Sequence, residues 1–289
     1  MTTFLVTGAN GKLGRQITQL LLDAKAGTVI AASRDPSKLA DLAAKGAETR
    51  RADFDDPASL AEAFKGVDRL LLISTDSLGS GQRLAQHTAA VAAAKTAGVG
   101  HVVYTSMPKP ETSAVTFASD HIGTENTLKA TGLPYTILRN SWYQENLFMG
   151  LPQALKSGQW YSSAGNGRIA YIAHADCAKA AAAALIKAPA NQTFTLTGPE
   201  LFTPQQVAAL AAEATGRPLA VIEVTDEDLA AGMKHGGVPE VLIPMLVSFD
   251  INTRQGGLDV LTDDVEILTG QKPATLQAFF AANAAALLA

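Results

Sequence analysis

A doubly wound parallel α/β sheet followed by a smaller C-terminal α/β region is the architecture that this 289-residue chain predicts. Three observations predict it. Short apolar runs alternate with helix-length segments through the first half of the chain. The run Leu70-Leu71-Leu72-Ile73 is apolar throughout, as a strand covered by helices on both faces must be. The first apolar run empties into a turn bearing Gly8, Gly11 and Gly14, and a helix starts there at once.

In chain order, strands are expected at Phe4 to Val6, Thr28 to Ser33, Glu48 to Ala52, Arg69 to Ser74, His101 to Thr105 and Tyr135 to Leu138. The first helix carries Leu13, Ile17, Leu20 and Leu21 at helical spacing. Further helices are expected over Pro57 to Phe64, Gly81 to Ala97 and Phe117 to Thr131, closed by Gly66, Gly98 and Gly132. Past Arg139 the alternation decays, and Gly158, Gly165 and Gly167 among polar residues point to long loops and short strands. Thr193 to Leu196 and Leu219 to Val224 read as strands of the second region. Between them Thr203-Pro204-Gln205-Gln206 supplies an N-cap, a proline at the first helical position and a glutamine at the third. From Asp226 the pattern is helical, broken at Gly236-Gly237, Pro239 and Gly256-Gly257, and an alanine- and leucine-rich helix closes the chain.

Composition narrows the function. Apolar residues make up 47% of the chain, ample for a packed core. A net charge of -4 and a pI near 5.7, with no basic block, argue against a nucleic-acid backbone or an anionic membrane as main partner; small molecules fit better. The chain opens directly on a strand, and Lys179 and Lys187 bracket the longest alanine run, Ala180 to Ala184, so no export or anchoring segment is expected. The lone cysteine, Cys177, suits a reducing cytoplasm. Beside Asp176 at a helix start, Cys177 reads either as a reactive thiol or, as free cysteines more often are, as core packing.

The glycine turn is how a protein presents backbone to a phosphate. Gly8 can take the positive φ that a tight turn needs, Gly11 leaves room for a pyrophosphate, and Gly14 lets the helix pack close to the strand. The anion then sits on the unpaired N–H groups and positive dipole of the helix start. The context is that of a Rossmann-type dinucleotide fold, expected over residues 1–150 with a return segment near 170–188. Residues 151–289 form the smaller substrate-binding region, with the site in the cleft between them.

An NAD-preferring site carries an acid at the end of the second strand; this chain has Arg34, twenty residues after Gly14. A guanidinium there can grip a 2′-phosphate bidentately, with Lys12 and Lys38 adding charge, so NADP(H) is expected over NAD(H). The plainer alternative pairs Arg34 with Asp35 as a solvated surface charge. Asp53 and Phe54, after the third strand, read equally as flanking the adenine or as a turn acid beside a core phenylalanine.

Six segments carry a family resemblance: Thr7 to Gly14, Arg34-Asp35-Pro36, Ala52-Asp53-Phe54, Leu71 to Ser74, Val103 to Ser106 and Leu138 to Tyr143. They resemble the NmrA-like branch of the atypical short-chain dehydrogenases/reductases, and within it the bacterial NADPH:quinone oxidoreductase type, then the triphenylmethane reductases. Ala164 to Ile169, Asp176 opening an alanine-rich helix, and Leu196-Thr197-Gly198 extend the likeness. The resemblance implies NADPH in the cleft and no flavin or metal. The cofactor-binding set it implies is Gly8, Asn10, Gly11, Lys12, Leu13, Gly14, Arg34, Asp53, Phe54, Ser74, Thr75, Thr105, Ser106 and Asn140.

Short-chain dehydrogenases usually protonate an alkoxide through Tyr-x-x-x-Lys on the helix after the fifth strand. This chain has His121-Ile122-Gly123-Thr124-Glu125 there. His121 reads either as a proton donor held by Glu125 or as a surface histidine in an i, i+4 pair. Asn140 is a candidate for contacting nicotinamide or substrate; otherwise it caps a helix starting at Trp142. Trp142 and Tyr143 could stack on an aromatic acceptor or pack in the core. His87, His101, His174 and His235 form no metal-binding cluster.

Hydride delivery to a quinone yields a delocalised phenolate that needs no strong acid. The expected function is therefore an NADPH-dependent reductase of quinones or similar aromatic acceptors. The alternative from another class is an NADP(H)-binding redox sensor without catalysis; a carbonyl reductase or isomerase is weakened by the missing tyrosine and lysine. The expected partner is a small quinone or aromatic molecule, with a homodimer and closure of the Asp76 to Gln82 loop left open.

Overall fold

Nine strands form among the described residues: β1 (Thr3–Val6), β2 (Thr28–Ser33), β3 (Glu48–Arg51), β4 (Arg69–Leu72), β5 (His101–Ser106), β6 (Tyr135–Asn140), β7 (Gln159–Ser162), β8 (Gln192–Leu196) and β9 (Ala220–Glu223). They come from a computed structural model describing residues 1–77, 79 and 81–289; Leu78 and Ser80, in the loop noted above, lie outside the described residues. Seven strands pair in parallel in the order β3-β2-β1-β4-β5-β6-β8.

The connecting helices are α1 (Lys12–Asp23), α2 (Ala40–Ala44), α3 (Pro57–Ala63), α4 (Gln82–Thr96), α5 (Ala118–Ala130), α6 (Leu151–Ser157) and α7 (His174–Lys187). After β8 come α8 (Pro204–Thr215), α9 (Asp226–His235), α10 (Ile243–Arg254), α11 (Asp264–Thr269) and α12 (Leu276–Leu288). Local chemistry starts several of them. The Asp56 carboxylate accepts from the N–H groups of Ala58 and Ser59 ahead of α3, and Thr203 and Gln206 form the expected capping box on α8.

Alternating side chains assign the two faces of the sheet. Phe4, Val6 and Leu71 pack with Ile17 and Leu21 of α1 and the alanines of α7, while Leu5, Leu70 and Leu72 point the other way into a core shared with α3, α4 and α5. Burying each such aliphatic side chain is worth about 1.5–3 kcal/mol, so the central strands anchor the fold. Cys177 lies in the first of these cores, and burial pushes its thiol well above the ordinary value. It packs; it is not poised to react.

Two expectations are corrected by the pairing. The strand read at Thr193 to Leu196 does not join the second region: as β8 it lies beside β6, with Leu138 opposite Phe194 and Asn140 opposite Leu196. The open edge of β6 offers unpaired backbone, and α7 supplies the crossover that a parallel partner requires. The chain after Asn140 does not enter a helix at Trp142. It stays extended, with Ser141 N–H donating to Leu196 O and Gln144 N–H to Ile172 O, before a 3₁₀ turn over Gln144–Met149.

Beyond the sheet, α6, α8 and α12 share a third core in which Phe279 and Phe280 pack with Val207 and Leu151. Beside them β7 and β9 form a two-stranded parallel sheet. No helix of the described residues is long and apolar enough to cross a membrane.

Candidate active site

The β1–α1 turn forms the floor of a cleft of about 530 Å³ at the carboxyl ends of the strands. Gly8 has φ +61°, a conformation that other residues rarely adopt. At Gly14 a Cβ would stand 2.4 Å from the Gly8 carbonyl oxygen, so only glycine allows α1 to start this close to the strand. Thr7 ties the turn to β4: its hydroxyl donates to Leu71 O at 3.0 Å and accepts from Ile73 N–H at 2.9 Å. No side chain caps α1 at Gly11, which leaves its first-turn N–H groups for an anion.

Most of the expected cofactor-binding residues surround this cleft. Gly8, Asn10, Gly11, Arg34, Asp53, Phe54, Ser74 and Thr75 line it. Lys12 lies exposed at the start of α1, Leu13 packs against the core and Gly14 is buried beneath the turn, so these three shape the loop rather than line the cleft. The Arg34–Asp35 pair considered from the sequence does not form. Asp35 instead accepts from the hydroxyl and N–H of Ser37, which hold its carboxyl below the ordinary range, while Arg34 makes no ion pair among the described residues. Asp53 accepts from Asp55 N–H at 3.1 Å, and Phe54 sits edge-on to His87 with ring centroids 6.3 Å apart.

Ser74 belongs to both this cleft and a second cavity of about 330 Å³. Its N–H donates to the Thr105 hydroxyl at 2.9 Å, which turns Thr105 inward, whereas Ser106, His121 and Asn140 reach the second cavity. Aromatic rings form much of its wall: Phe249 of α10 packs 4.3 Å from Trp142 and 6.1 Å from Phe117, measured between centroids. Asn140 ends β6 and caps nothing. Its Nδ2 donates to the Tyr143 hydroxyl at 3.0 Å, leaving Oδ1 buried without a partner, and the neighbouring Ser141 hydroxyl is also unpartnered. Such orphaned polar atoms at a cavity wall are available to a ligand. Burial pushes the Tyr143 phenol up, so it holds its proton.

His121 is neither held by Glu125 nor at the surface. It is 4% exposed, with Nδ1 2.9 Å from the Tyr104 hydroxyl and Nε2 3.4 Å from Arg83 Nη1. Arg83 can only donate, which places the imidazole proton on Nδ1. Desolvation, aided by the Arg83 charge, pushes His121 down to about 3. Glu125 turns away because stronger partners stand on β5 and β6: it accepts from the Ser106 hydroxyl at 2.7 Å and from Arg139. Behind His121, His87 accepts from Thr75 N–H at 3.0 Å and faces the Thr124 hydroxyl at 2.9 Å. The chain of buried rings therefore runs from beneath one cavity to the wall of the other.

Sequence reasoning missed Arg83, Ser141 and Phe249 on this wall. Phe249 arrives from α10, more than a hundred residues after the helix it faces, and carries no local motif. Arg83 offers only its place at the start of the helix after β4. No group of three or more metal-ligating side chains occurs among the described residues.

Comparison with known proteins places this geometry. A family model described as NAD(P)H-binding matches residues 8–189. The chain belongs to this NAD(P)H-binding family. Quinone oxidoreductase 2 of Escherichia coli is 37% identical over 94% of this chain and 95% of its own, and the crystal structure of that enzyme with NADPH superposes with a TM-score of 0.92 at 36% identity, covering 96% and 99%. The Citrobacter triphenylmethane reductase with NADP(H) gives a TM-score of 0.90 at 31% identity, covering 97% and 99%. An NmrA-like domain-containing oxidoreductase of Aspergillus flavus is 28% identical over 93% of this chain and 91% of its own. The family resemblance and fold class expected from the sequence are borne out.

Proposed function

We propose that this NAD(P)H-binding protein is an NADPH-dependent reductase that passes hydride to a quinone or similar conjugated aromatic acceptor. The observation that carries the reading is the junction at Ser74, where a cleft floored by the glycine turn meets a cavity walled by aromatic rings. The similarity to quinone oxidoreductase 2 and triphenylmethane reductase supports it.

The residues present suit the dinucleotide. The uncapped start of α1 takes the pyrophosphate, and Arg34, without an acidic partner, takes the 2′-phosphate that distinguishes NADPH from NADH. Asp53 and Phe54 flank the adenine, while Ser74, Thr75 and Ser106 border the nicotinamide end and Thr105 supports Ser74 from behind. Bound there, the reduced cofactor supplies a hydride, and the reading requires no flavin or metal. Asn140 orients the nicotinamide or the acceptor through its unpartnered Oδ1, and Phe117, Trp142 and Phe249 exclude water and pack on a planar acceptor. The last proton comes from water, because His121 is held neutral and Glu125 is committed to Arg139.

On this reading residues 1–150 and a return segment near 170–188 hold the cofactor, and 151–289 cover the acceptor. A reducing, cytoplasmic setting fits the single buried cysteine. Decay of the NADPH absorbance band with a panel of quinones, triarylmethane dyes and enones tests the proposal. Quinones are expected to turn over fastest. Tight NADP binding with no turnover of any acceptor overturns it in favour of a dinucleotide sensor.

A further inference from the structure

Among the described residues, Arg83 is a buried cation with no bonded anion. It is 7% exposed, and Nε finds no hydrogen-bond partner among them. Within that set Nη1 and Nη2 make only long contacts, each 3.4 Å, to His121 Nε2 and Ser77 O. Its guanidinium carbon lies 4.4 Å from the centre of the Phe117 ring, which fixes the plane beside the aromatic wall. Asp76 and Asp120 are the acids whose fields reach it, and neither forms a salt bridge with it among the described residues. Leaving a charge this buried and this poorly bonded is costly unless a ligand completes it. Arg83 lines the same cavity as Ser74, Asn140 and Phe249, so the ligand that completes it is whatever that cavity holds.

We infer that Arg83 is the electrostatic catalyst of the reduction: its guanidinium meets the acceptor oxygen on which negative charge develops as hydride arrives. The inference rests on the reading of this protein as a quinone reductase. Net transfer of hydride to a quinone adds two electrons and one proton, giving the hydroquinone monoanion. Water then supplies the second proton, and the dinucleotide leaves oxidised. The developing charge lies on oxygen, and a donor already oriented in a water-poor cavity stabilises it without reorganising. Arg83 has donors to spare for this task, since among the described residues its Nε–H is unused and its other contacts are long.

The test is Arg83→Gln assayed with a series of benzoquinones whose hydroquinones differ in acidity, alongside the dissociation constant for NADPH. We expect kcat to fall at least about tenfold for the quinone giving the least acidic hydroquinone, in line with the loss of one oriented donor. The loss shrinks as the hydroquinone becomes more acidic, while NADPH binding stays within about twofold. A uniform loss across the series, which a merely structural role would produce, or no loss at all, overturns the inference. If the glutamine variant does not fold, Arg83→Met, which keeps the stem packed on Phe117, is assayed in the same way. Failure of the wild-type protein to reduce any quinone overturns the functional reading instead, so the two failures are distinguishable.

Discussion

Arg139 grips the buried carboxylate of Glu125 through two hydrogen bonds, Nε to Oε1 at 2.9 Å and Nη2 to Oε2 at 2.7 Å. The Ser106 hydroxyl donates a third, at 2.7 Å. The bidentate contact joins α5 to the end of β6, directly below the cavity residues Ser106 and Asn140. Removing Glu125 leaves the mostly buried Arg139 guanidinium with only the half-exposed Glu111 carboxylate, at a cost of about 2–3 kcal/mol. Glu125→Ala is therefore expected to lower the melting temperature by roughly 5 °C. An unchanged melting temperature in a thermal scan contradicts it.

Acid stability follows from three buried histidines. Burial, reinforced by the Arg83 charge, pushes His87 and His121 down to about 3, and burial with Arg69 pushes His101 down to about 4, from the ordinary 6.5. The unfolded chain binds protons near 6.5 that the native chain refuses, so their contribution is complete above that pH and is lost as pH falls toward about 4 for His101 and about 3 for His87 and His121. Each histidine contributes a slope of about 1.4 kcal/mol per pH unit across that window. Denaturant unfolding at pH 7 and pH 5 is expected to show the loss, and His121→Gln is expected to remove about one proton from the slope. A slope unchanged in the variant contradicts the placement of His121.

What was legible in the chain is what local sequence encodes. Leu70-Leu71-Leu72 marks a strand covered on both faces wherever it lies in the sheet, and the Gly8-Gly11-Gly14 spacing marks its turn without reference to distant residues. Pairing is different. Whether Thr193 to Leu196 joins the main sheet depends on the free edge of β6, some fifty residues earlier. The partners of His121 and Glu125 were misread for the same reason. Tyr104, Arg83 and Arg139 come from three other elements and outcompete the neighbour four residues along the helix. Most of the lining of the glycine-turn cleft was therefore readable, and that of the second, aromatic cavity much less so.

Gly14→Ala tests the turn. The added Cβ would lie 2.4 Å from the Gly8 carbonyl oxygen and 2.8 Å from its carbon, both backbone atoms, so α1 or the turn must move. Overpacking of this kind costs about 1–3 kcal/mol. Calorimetry is expected to show NADPH affinity reduced at least about tenfold, together with a lower melting temperature. Wild-type affinity in this variant would mean that the turn does not position the cofactor.

Cys177 is 1% exposed in the core beneath α1, and its thiol is pushed up, chiefly by burial. Because the thiolate is the reactive species, the native protein is expected to resist a chromogenic disulfide reagent and to react fully once unfolded. Labelling then follows the opening of the α1–α7 layer. Rapid stoichiometric labelling under native conditions would restore the reactive-thiol reading.

On the proposed reading, Arg34 sets which dinucleotide the cleft prefers. Its neighbour Asp35 is occupied in capping the turn at Ser37, so no adjacent acid neutralises the guanidinium where the adenine ribose is expected. A free guanidinium gains two charge-assisted hydrogen bonds to a 2′-phosphate and much less from a neutral ribose hydroxyl. Arg34→Asp replaces that attraction with repulsion toward the phosphate and supplies an acceptor for the hydroxyls of NADH. The Michaelis constant for NADPH is expected to rise at least about tenfold, while that for NADH holds or falls. Steady-state kinetics with both cofactors and one quinone reads the ratio directly. Equal effects on the two would show that Arg34 is only a surface charge and would overturn the assignment of the 2′-phosphate to it.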